Sequence, residues 1–507
     1  MNYLLGIDIG TSGTKTVLFD EKGKIISEYT GEYPLYQEHN GWAEQDPEDW
    51  WQATVAGIRY VLKTSKIDPQ AIKGLGLSGQ MHGLVILDKH GQLLRPCIIW
   101  ADQRTDKEVL ELEEIFGRDK IIEITANPPM ASFTAAKLLW VKNNEPEIYE
   151  NIAHILLPKD YIRYKLTGEF ISDVSDASGS QLMDIKNRDW SDEIIEGLGI
   201  SREILPDLVE SAEISAYVNE EASQETGLKT GTIVVGGAAD NAAAAIGTGV
   251  YEPGRAFNTI GTSAVIYAVT DEPKIDEEGR IHTLCASVPN KWTFMSCTQS
   301  AGLSLRWIKN LVAQEEIAKA KETKQDVYDL MTKEASQAPI GSEKLIYLPY
   351  LIGERSPHLN AYARGVFFGL SSIHTKKEII RAVLEGVAFS QRECFDIFEE
   401  NGINLEEMII TGGGGKSDLW RQMFADLYKI PVRTLTTDKG GSLGAAILAG
   451  VGSGVYTSIE AACEQLISFE AAQAPDLKAH AEYEPYYQLY KQIYRDLKDD
   501  FTRLAKI

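Results

Sequence analysis

The chain is poor in cysteine, and its cysteines are not arranged in pairs. Five of them (Cys97, Cys285, Cys297, Cys394, Cys463) are scattered over 507 residues with no C-x-x-C spacing. That argues against a disulfide framework or a zinc site and fits a reducing, cytoplasmic setting. Positive charge is also short: 50 Lys and Arg stand against 74 Asp and Glu, a formal net charge of −24 spread along the chain. Such a surface repels nucleic acid and anionic lipid. It does not exclude a phosphorylated small ligand, which backbone N–H groups and Mg²⁺ can bind locally. No apolar run approaches a membrane span. The opening "MNYLLGIDIG" runs straight into a strand, without the basic lead and apolar core of a secretory signal. We find no Ser-His-Asp order, no ligand-spaced histidine cluster, no basic aromatic stripe and no low-complexity segment.

What remains is an ordinary globular composition, 44% hydrophobic and 24% charged. The length is too great for one core, and two domains of roughly 250 residues are expected. "YLLGIDIG" and "TKTVLFDEKGKIISEYTGEY" read as strands folded back at a Gly-Thr-Ser-Gly turn. A helix follows from Pro47, with Asp46 as N-cap and Glu48 and Asp49 at the positive end of its dipole. "IKGLGLSG" and "GLVILD" read as buried strands flanking "QMHG". From about residue 115 to 217 the pattern is irregular and helical, an insertion on the first domain. The boundary is placed at residue 248, giving domains 1–248 and 249–507. In the second, "GRAFNTIGTSAVIYAVTDEP" again reads as strand, Gly-Thr-Ser turn, strand. It is followed by a periodic helix over 378–400, a strand and glycine loop at "MIITGGGGKS", and the small-residue helix "GGSLGAAILAGVG". The echo of "GIDIGTSGTKTVLFD" in "FNTIGTSAVIYAVTD" suggests duplicated α/β cores, each offering one phosphate-binding turn.

Several residues carry candidate chemistry. "TIVVGGAADNAAAAIGTG" sets Asp240 and Asn241 at the mouth of an alanine helix. Asp240 reads either as a helix cap or as a carboxylate aimed at a substrate. The Gly-Thr-Ser turns offer backbone N–H groups and hydroxyls to phosphate oxygens. The first follows Asp8, a candidate Mg²⁺ carboxylate, and precedes Lys15, equally readable as a solvated strand residue. "TGGGGKSDLW" lacks the spacing of the G-x-x-x-x-G-K-[ST] loop. Its glycines suit a flat ligand lying on bare backbone, and Ser417 equally suits a helix cap. Gln80, Met81 and His82 could hold a polyol, though a lone histidine is more commonly a buried one satisfied by backbone. Trp100, Asp102 and Arg104 stand at another strand end.

In order, "GIDIGTSGTK", "SGQMHG", "KDYIRYKLTGE", "GGAADNAAAAIG", "IGTS", "GERSPHLNAYARGVFFGL" and "TGGGGKSDLWRQMFADLYKIPV" resemble the FGGY family of carbohydrate kinases, most of all its xylulokinase branch. The likeness spans roughly Tyr3 to Gly452. It implies two ribonuclease H-like, actin-like α/β domains flanking a deep cleft, with the sugar mainly on the first and ATP mainly on the second. It implies phosphoryl transfer from Mg·ATP to a sugar hydroxyl, D-xylulose at its 5-hydroxyl being expected, and cytoplasmic homodimers are common among such proteins. Carried over by motif, Asp240 is the general base and Asp8 serves Mg²⁺. Thr11, Ser12, Lys15, Gly261, Thr262, Gly302, Gly413, Gly414 and Ser417 face the nucleotide. Gln80, Met81, His82, Trp100, Asp102 and Asn241 face the sugar. Three positions depart from the xylulokinase pattern: Ala101 for Asn, Ala286 for His, and Gln299 for an apolar residue. They leave open gluconate, ribulose or a pentitol as acceptor. An actin-like ATPase without a sugar site is the alternative of another class. For Glu354 and Arg355 in "GERSPHL" two roles stay open, a structural pairing across the second domain being expected ahead of direct catalysis.

Overall fold

A computed structural model describes every residue except Asp438. The chain divides into two compact units. From the N-terminus the first unit builds β1 (Tyr3–Ile9), β2 (Gly13–Asp20), β3 (Ile25–Glu32), α1 (Pro47–Ser65) and β4 (Ile72–Gly79). After the insertion come β5 (Ile233–Val235), β6 (Ala238–Ala239) and α2 (Asp240–Gly247). The second unit is built on β7 (Arg255–Ile260), β8 (Ala264–Thr270), β9 (Trp292–Thr298), α3 (Gly302–Val312), α4 (Val327–Ala335), α5 (Lys376–Glu400), β10 (Glu407–Gly412), α6 (Asp418–Tyr428) and β11 (Val432–Arg433). The chain then supplies α7 (Gly440–Gly452).

The two units repeat one sheet plan. In the first the order is β3-β2-β1-β4-β5, with β1–β2 and β2–β3 antiparallel and β1–β4 and β4–β5 parallel. In the second it is β9-β8-β7-β10-β11, with β7–β8 antiparallel and β7–β10 and β10–β11 parallel. In both, a first strand turns back at Gly-Thr-Ser into its antiparallel neighbour and takes a parallel strand on its other edge. These are the duplicated α/β cores that the sequence echo suggested, of the ribonuclease H-like kind that the resemblance implied. The parallel edges are buried on both sides, so "GLGLSG" in β4 reads as a continuous small and apolar run.

Local chemistry explains the element ends. Asp46 caps α1 by accepting from the N–H of Glu48, with Pro47 in the first turn. Thr375 and Glu378 form a reciprocal capping box at the start of α5. The insertion has its own hydrophobic core, which includes Leu112, Leu139, Ile155, Trp190 and Ile195.

The unit boundary first falls after Tyr251, three residues beyond the expected cut. The chain then returns to the first unit at Val269–Thr293 and Lys439–Ile467. The small-residue helix α7, expected in the second domain, therefore belongs to the first. It packs on β1, β4 and α2. Its glycines explain why: a Cβ on Gly444 would lie 1.8 Å from the carbonyl oxygen of Ala243. Only a helix stripped of side chains can approach α2 that closely. Among the described residues, no helix is long and apolar enough to cross a membrane.

Candidate active site

The first unit brings two carboxylates together. Asp8 lies near the end of β1, next to Ser78 of parallel β4, whose hydroxyl donates to Asp8 Oδ1 at 2.7 Å. Asp240 opens α2, which follows directly on β6, itself paired to the end of β4. The residue facing both is Gly441, at the start of α7. A Cβ there would sit 3.0 Å from Ser78 Oγ, 3.6 Å from Asp8 Oδ2 and 3.7 Å from the Asp240 carbonyl oxygen. Crowding by protein atoms raises the Asp8 carboxyl above the usual carboxylate range, against the Ser78 hydroxyl and the charge of Lys15. Crowding, and then the charge of Asp8, push Asp240 up to about 7.

The structure separates the two readings of Asp240. The N-cap of α2 is Ala239, and no side chain caps it. Asp240 Oδ1 instead accepts from the backbone N–H of Asn241 at 2.6 Å and from its side-chain amide at 2.9 Å. Asn241 thus fixes the plane of the carboxylate rather than reaching outward through its amide.

Other residues expected to face the sugar also make structural bonds. Gln80 is buried, and its amide donates to Gln45 Oε1 at 2.8 Å. Asp102 is buried and saturated: it accepts from the N–H of Ala43 at 2.6 Å, from the N–H of Arg104 at 2.9 Å and from the Arg104 guanidinium. Trp100 is 39% exposed and donates to Thr11 Oγ1 at 2.9 Å, which holds the first turn. Lys15 pairs with Glu28 at 3.3 Å on the exposed face of the sheet, the solvated-strand reading. Met81 and His82 sit against Gly179, where a Cβ would meet both side chains. His82 has a left-handed backbone, φ 67°, and its Nδ1 is 2.7 Å from the Gly179 carbonyl. Its own carbonyl accepts from Lys137 Nζ at 2.7 Å and from Thr134 Oγ1 at 3.2 Å. Thr11 and Ser12 stay on the surface of a turn closed by Gly10 N–H to Gly13 C=O. Gln45 and Tyr33 also bind that turn's carbonyls.

In the second unit six expected residues line one cavity of about 310 Å³: Gly261, Thr262, Gly302, Gly413, Gly414 and Ser417. The first turns of α3 dock on the Gly-Thr-Ser turn, with Gly302 N–H donating to the Gly261 carbonyl at 2.8 Å and Leu303 N–H to that of Thr262 at 3.0 Å. A Cβ on Gly302 would lie 2.3 Å from the Gly261 oxygen, so glycine is required. Ser417 does cap α6, accepting from Trp420 N–H. The cavity also exposes Arg306, Asp326 and Tyr328. These were not expected, because the α3–α4 segment carries only an amphipathic pattern. Ser78 and Gly441 were missed too; each sits in a run of small residues readable as packing.

The three departures lie on backbone features. Ala286 is buried in a turn closed by its N–H to the Lys291 carbonyl. Ala101 packs against the first core, and the Gln299 N–H is bound by Glu354.

Two family models match the chain: "FGGY family of carbohydrate kinases, N-terminal domain" over residues 3–247, and the corresponding C-terminal domain over residues 256–453. The chain is 39% identical over 504 residues to the xylulose kinase of Bacillus subtilis, covering 99% of each. It is 38% identical to the xylulose kinase of Escherichia coli, covering 97% of this chain and 99% of that one. A gluconokinase of Bacillus subtilis is 33% identical over 99% of this chain and 98% of its own. Among solved structures, the xylulose kinase of Rhodospirillum rubrum superposes with a TM-score of 0.91 at 28% identity, covering 99% of this chain and 100% of that one.

Proposed function

The chain belongs to the FGGY family of carbohydrate kinases, and from that premise we propose that it transfers the γ-phosphoryl group of ATP to the 5-hydroxyl of D-xylulose, with Asp240 as general base. The observation that carries the reading is the carboxylate pair, in which Asp240 is poised near 7. A base works best with a pKa near the operating pH. Asp240 takes the hydroxyl proton as the sugar oxygen attacks the γ-phosphorus. The P–O bond to ADP breaks as the new one forms, leaving ADP, the sugar phosphate and a proton. Asn241 holds the carboxylate in one plane throughout.

The Asp8 site suits Mg²⁺. Asp8 Oδ2 faces a cradle that a Cβ on Gly441 would narrow. The charge of Asp8 raises Asp240, and neighbouring carboxylates of this kind would favour a divalent cation. Among the described residues no group of three or more His, Cys, Asp or Glu could hold a metal. When bound, Mg²⁺ neutralises the charge of the transferring phosphoryl group. The second unit supplies the nucleotide cavity, of a size suited to a small ligand.

The similarity to xylulose kinases favours D-xylulose, and the gluconokinase similarity keeps gluconate as the second reading. A gluconate site calls for a cation toward the carboxylate. The lysine beside His82, Lys137, is fully buried and spends its donors on the carbonyls of His82 and Ser132. Burial lowers it to about 7. That supports the uncharged ketose.

The test is ADP release by the purified protein with Mg·ATP and a panel of D-xylulose, L-xylulose, D-ribulose, D-gluconate, xylitol, glycerol and no acceptor. Turnover should be strong with D-xylulose. Preference for gluconate would replace the acceptor. Hydrolysis indifferent to any acceptor would replace the kinase reading by an ATPase.

A further inference from the structure

"GERSPHL" is the motif that the catalytic reading leaves unused. Glu354 is buried. Its Oε1 accepts two backbone bonds, from Gln299 N–H at 2.7 Å and from Arg355 N–H at 2.8 Å. The adjoining Ser356 pairs with the end of β9: its N–H donates to the Cys297 carbonyl at 3.0 Å, and its hydroxyl accepts from Cys297 N–H at 3.2 Å. The Glu354 backbone is fixed in turn by reciprocal bonds to Asn360, each 2.9 Å. Two residues past Gln299 the same strand-to-helix loop meets the nucleotide turn. Ala301, Gly302 and Leu303 donate their N–H groups to the carbonyls of Gly261 and Thr262 at 2.8–3.0 Å.

We propose that Glu354 is a positioning residue for the nucleotide, clamping the 299–301 loop so that α3 holds the Gly261–Thr262 turn with its own donors facing the phosphates. The inference rests on the reading of the second-unit cavity as the ATP site. The carboxyl acts as a neutral acceptor. Burial pushes it up to about 8, against the N–H groups of Arg355 and Gln299, and nearby Glu393 adds to the rise. Its second oxygen is buried with no hydrogen-bond partner, as suits a protonated acid better than a carboxylate. Glutamine reproduces that acceptor in shape and charge; alanine removes it from both the Gln299 and the Arg355 N–H groups.

The experiment compares full-length wild type, Glu354→Ala and Glu354→Gln by steady-state kinetics and by the melting shift that Mg·ATP induces. Glu354→Ala should raise KM for ATP about tenfold or more, because it takes the acceptor from two backbone donors, and shrink the Mg·ATP shift. KM for the sugar should stay within about twofold, because the lost bonds lie in the nucleotide half. Glu354→Gln should restore KM for ATP. Equal rises in both KM values, an unchanged KM for ATP, or a Gln variant as impaired as Ala would each overturn the proposal. If Glu354→Ala does not fold, Glu354→Asp, which withdraws the carboxyl by one methylene, must show the same ATP-selective loss or the proposal fails. A wild type that Mg·ATP does not stabilise would remove the nucleotide site itself, and this inference with it. A responsive wild type with an indifferent alanine variant removes only this inference.

Discussion

At the scale of single residues, the proposed chemistry turns on Asp240 lying near Asp8, whose charge raises it. The residue types were legible in the sequence, because a carboxylate at the head of a bland alanine helix raises a question wherever it occurs. That Asp240 does not cap its helix was not legible, since a cap and a substrate-facing carboxylate share the same sequence pattern and differ only in where the oxygens point. Gln80 and Asp102 show the same limit in reverse. Both have side chains suited to a sugar, yet Gln45 accepts from the Gln80 amide and the N–H of Ala43 donates to Asp102, while Gln80 Oε1 stays buried without a partner. The raised pKa of Asp240 has two consequences. As the proposed base it must be ionised, so turnover should rise with pH through about 7 and level above it. As a folded-state acid it holds its proton from its ordinary value of 3.8 up to about 7, where the unfolded chain has lost it, so the native state loses stability as pH rises through that window. Asp240→Asn keeps the shape and cannot ionise. It should lower kcat by about 10²–10⁴-fold yet melt higher than wild type at pH 8, with the gain shrinking as pH falls toward 4. Near-normal kcat would refute the base assignment; a lower melting point at pH 8 would refute the electrostatic account.

At the scale of elements, two helices made of small residues set the site. The N-terminus of α2 carries Asp240 and that of α7 carries Gly441, and the two helices pack on each other and on β4. Their composition was plain in the sequence, and so was their helical type. Their partners were not, because alanine and glycine have no periodic apolar stripe to show which sheet they cover. The contact makes a sharp demand. Gly444→Ala places a methyl 1.8 Å from a backbone oxygen of α2, an atom that cannot rotate away. Overpacking of this kind costs about 1–3 kcal/mol or more. The variant should melt several degrees lower, and its kcat should fall more than either KM rises, because relief of the clash must move α2 and the base with it. Thermal unfolding and steady-state kinetics on one preparation check both. A stable variant with unaltered kcat would show that the α2–α7 distance has slack.

At the scale of the whole molecule, the duplicated sheet plan was legible from the two Gly-Thr-Ser hairpins, because a strand, a tight turn and an antiparallel strand leave a local signature. The path of the chain between the units was not, because nothing local distinguishes a helix that covers its own domain's sheet from one that returns to the other. A cut at 248 leaves α7 outside the first domain, whereas in the structure it packs on that unit's sheet. α7 buries Leu443, Ile447 and Leu448 to 3% exposure or less, while it packs on β1 and β4. Three such side chains are worth about 5–9 kcal/mol of burial at about 1.5–3 each, comparable with the whole stability of a typical domain, ~5–15 kcal/mol. The return at 269–293 also brings Cys285 into the core of the insertion. A fragment of residues 1–251 should therefore show no cooperative thermal transition. The same fragment with 439–467 joined through a flexible linker should regain one, at least in part. Calorimetry of the two fragments decides it: a cooperative melt by 1–251 alone would mean that the β1–β4 face is stable uncovered, and that α7 serves the catalytic pair without holding the first unit together.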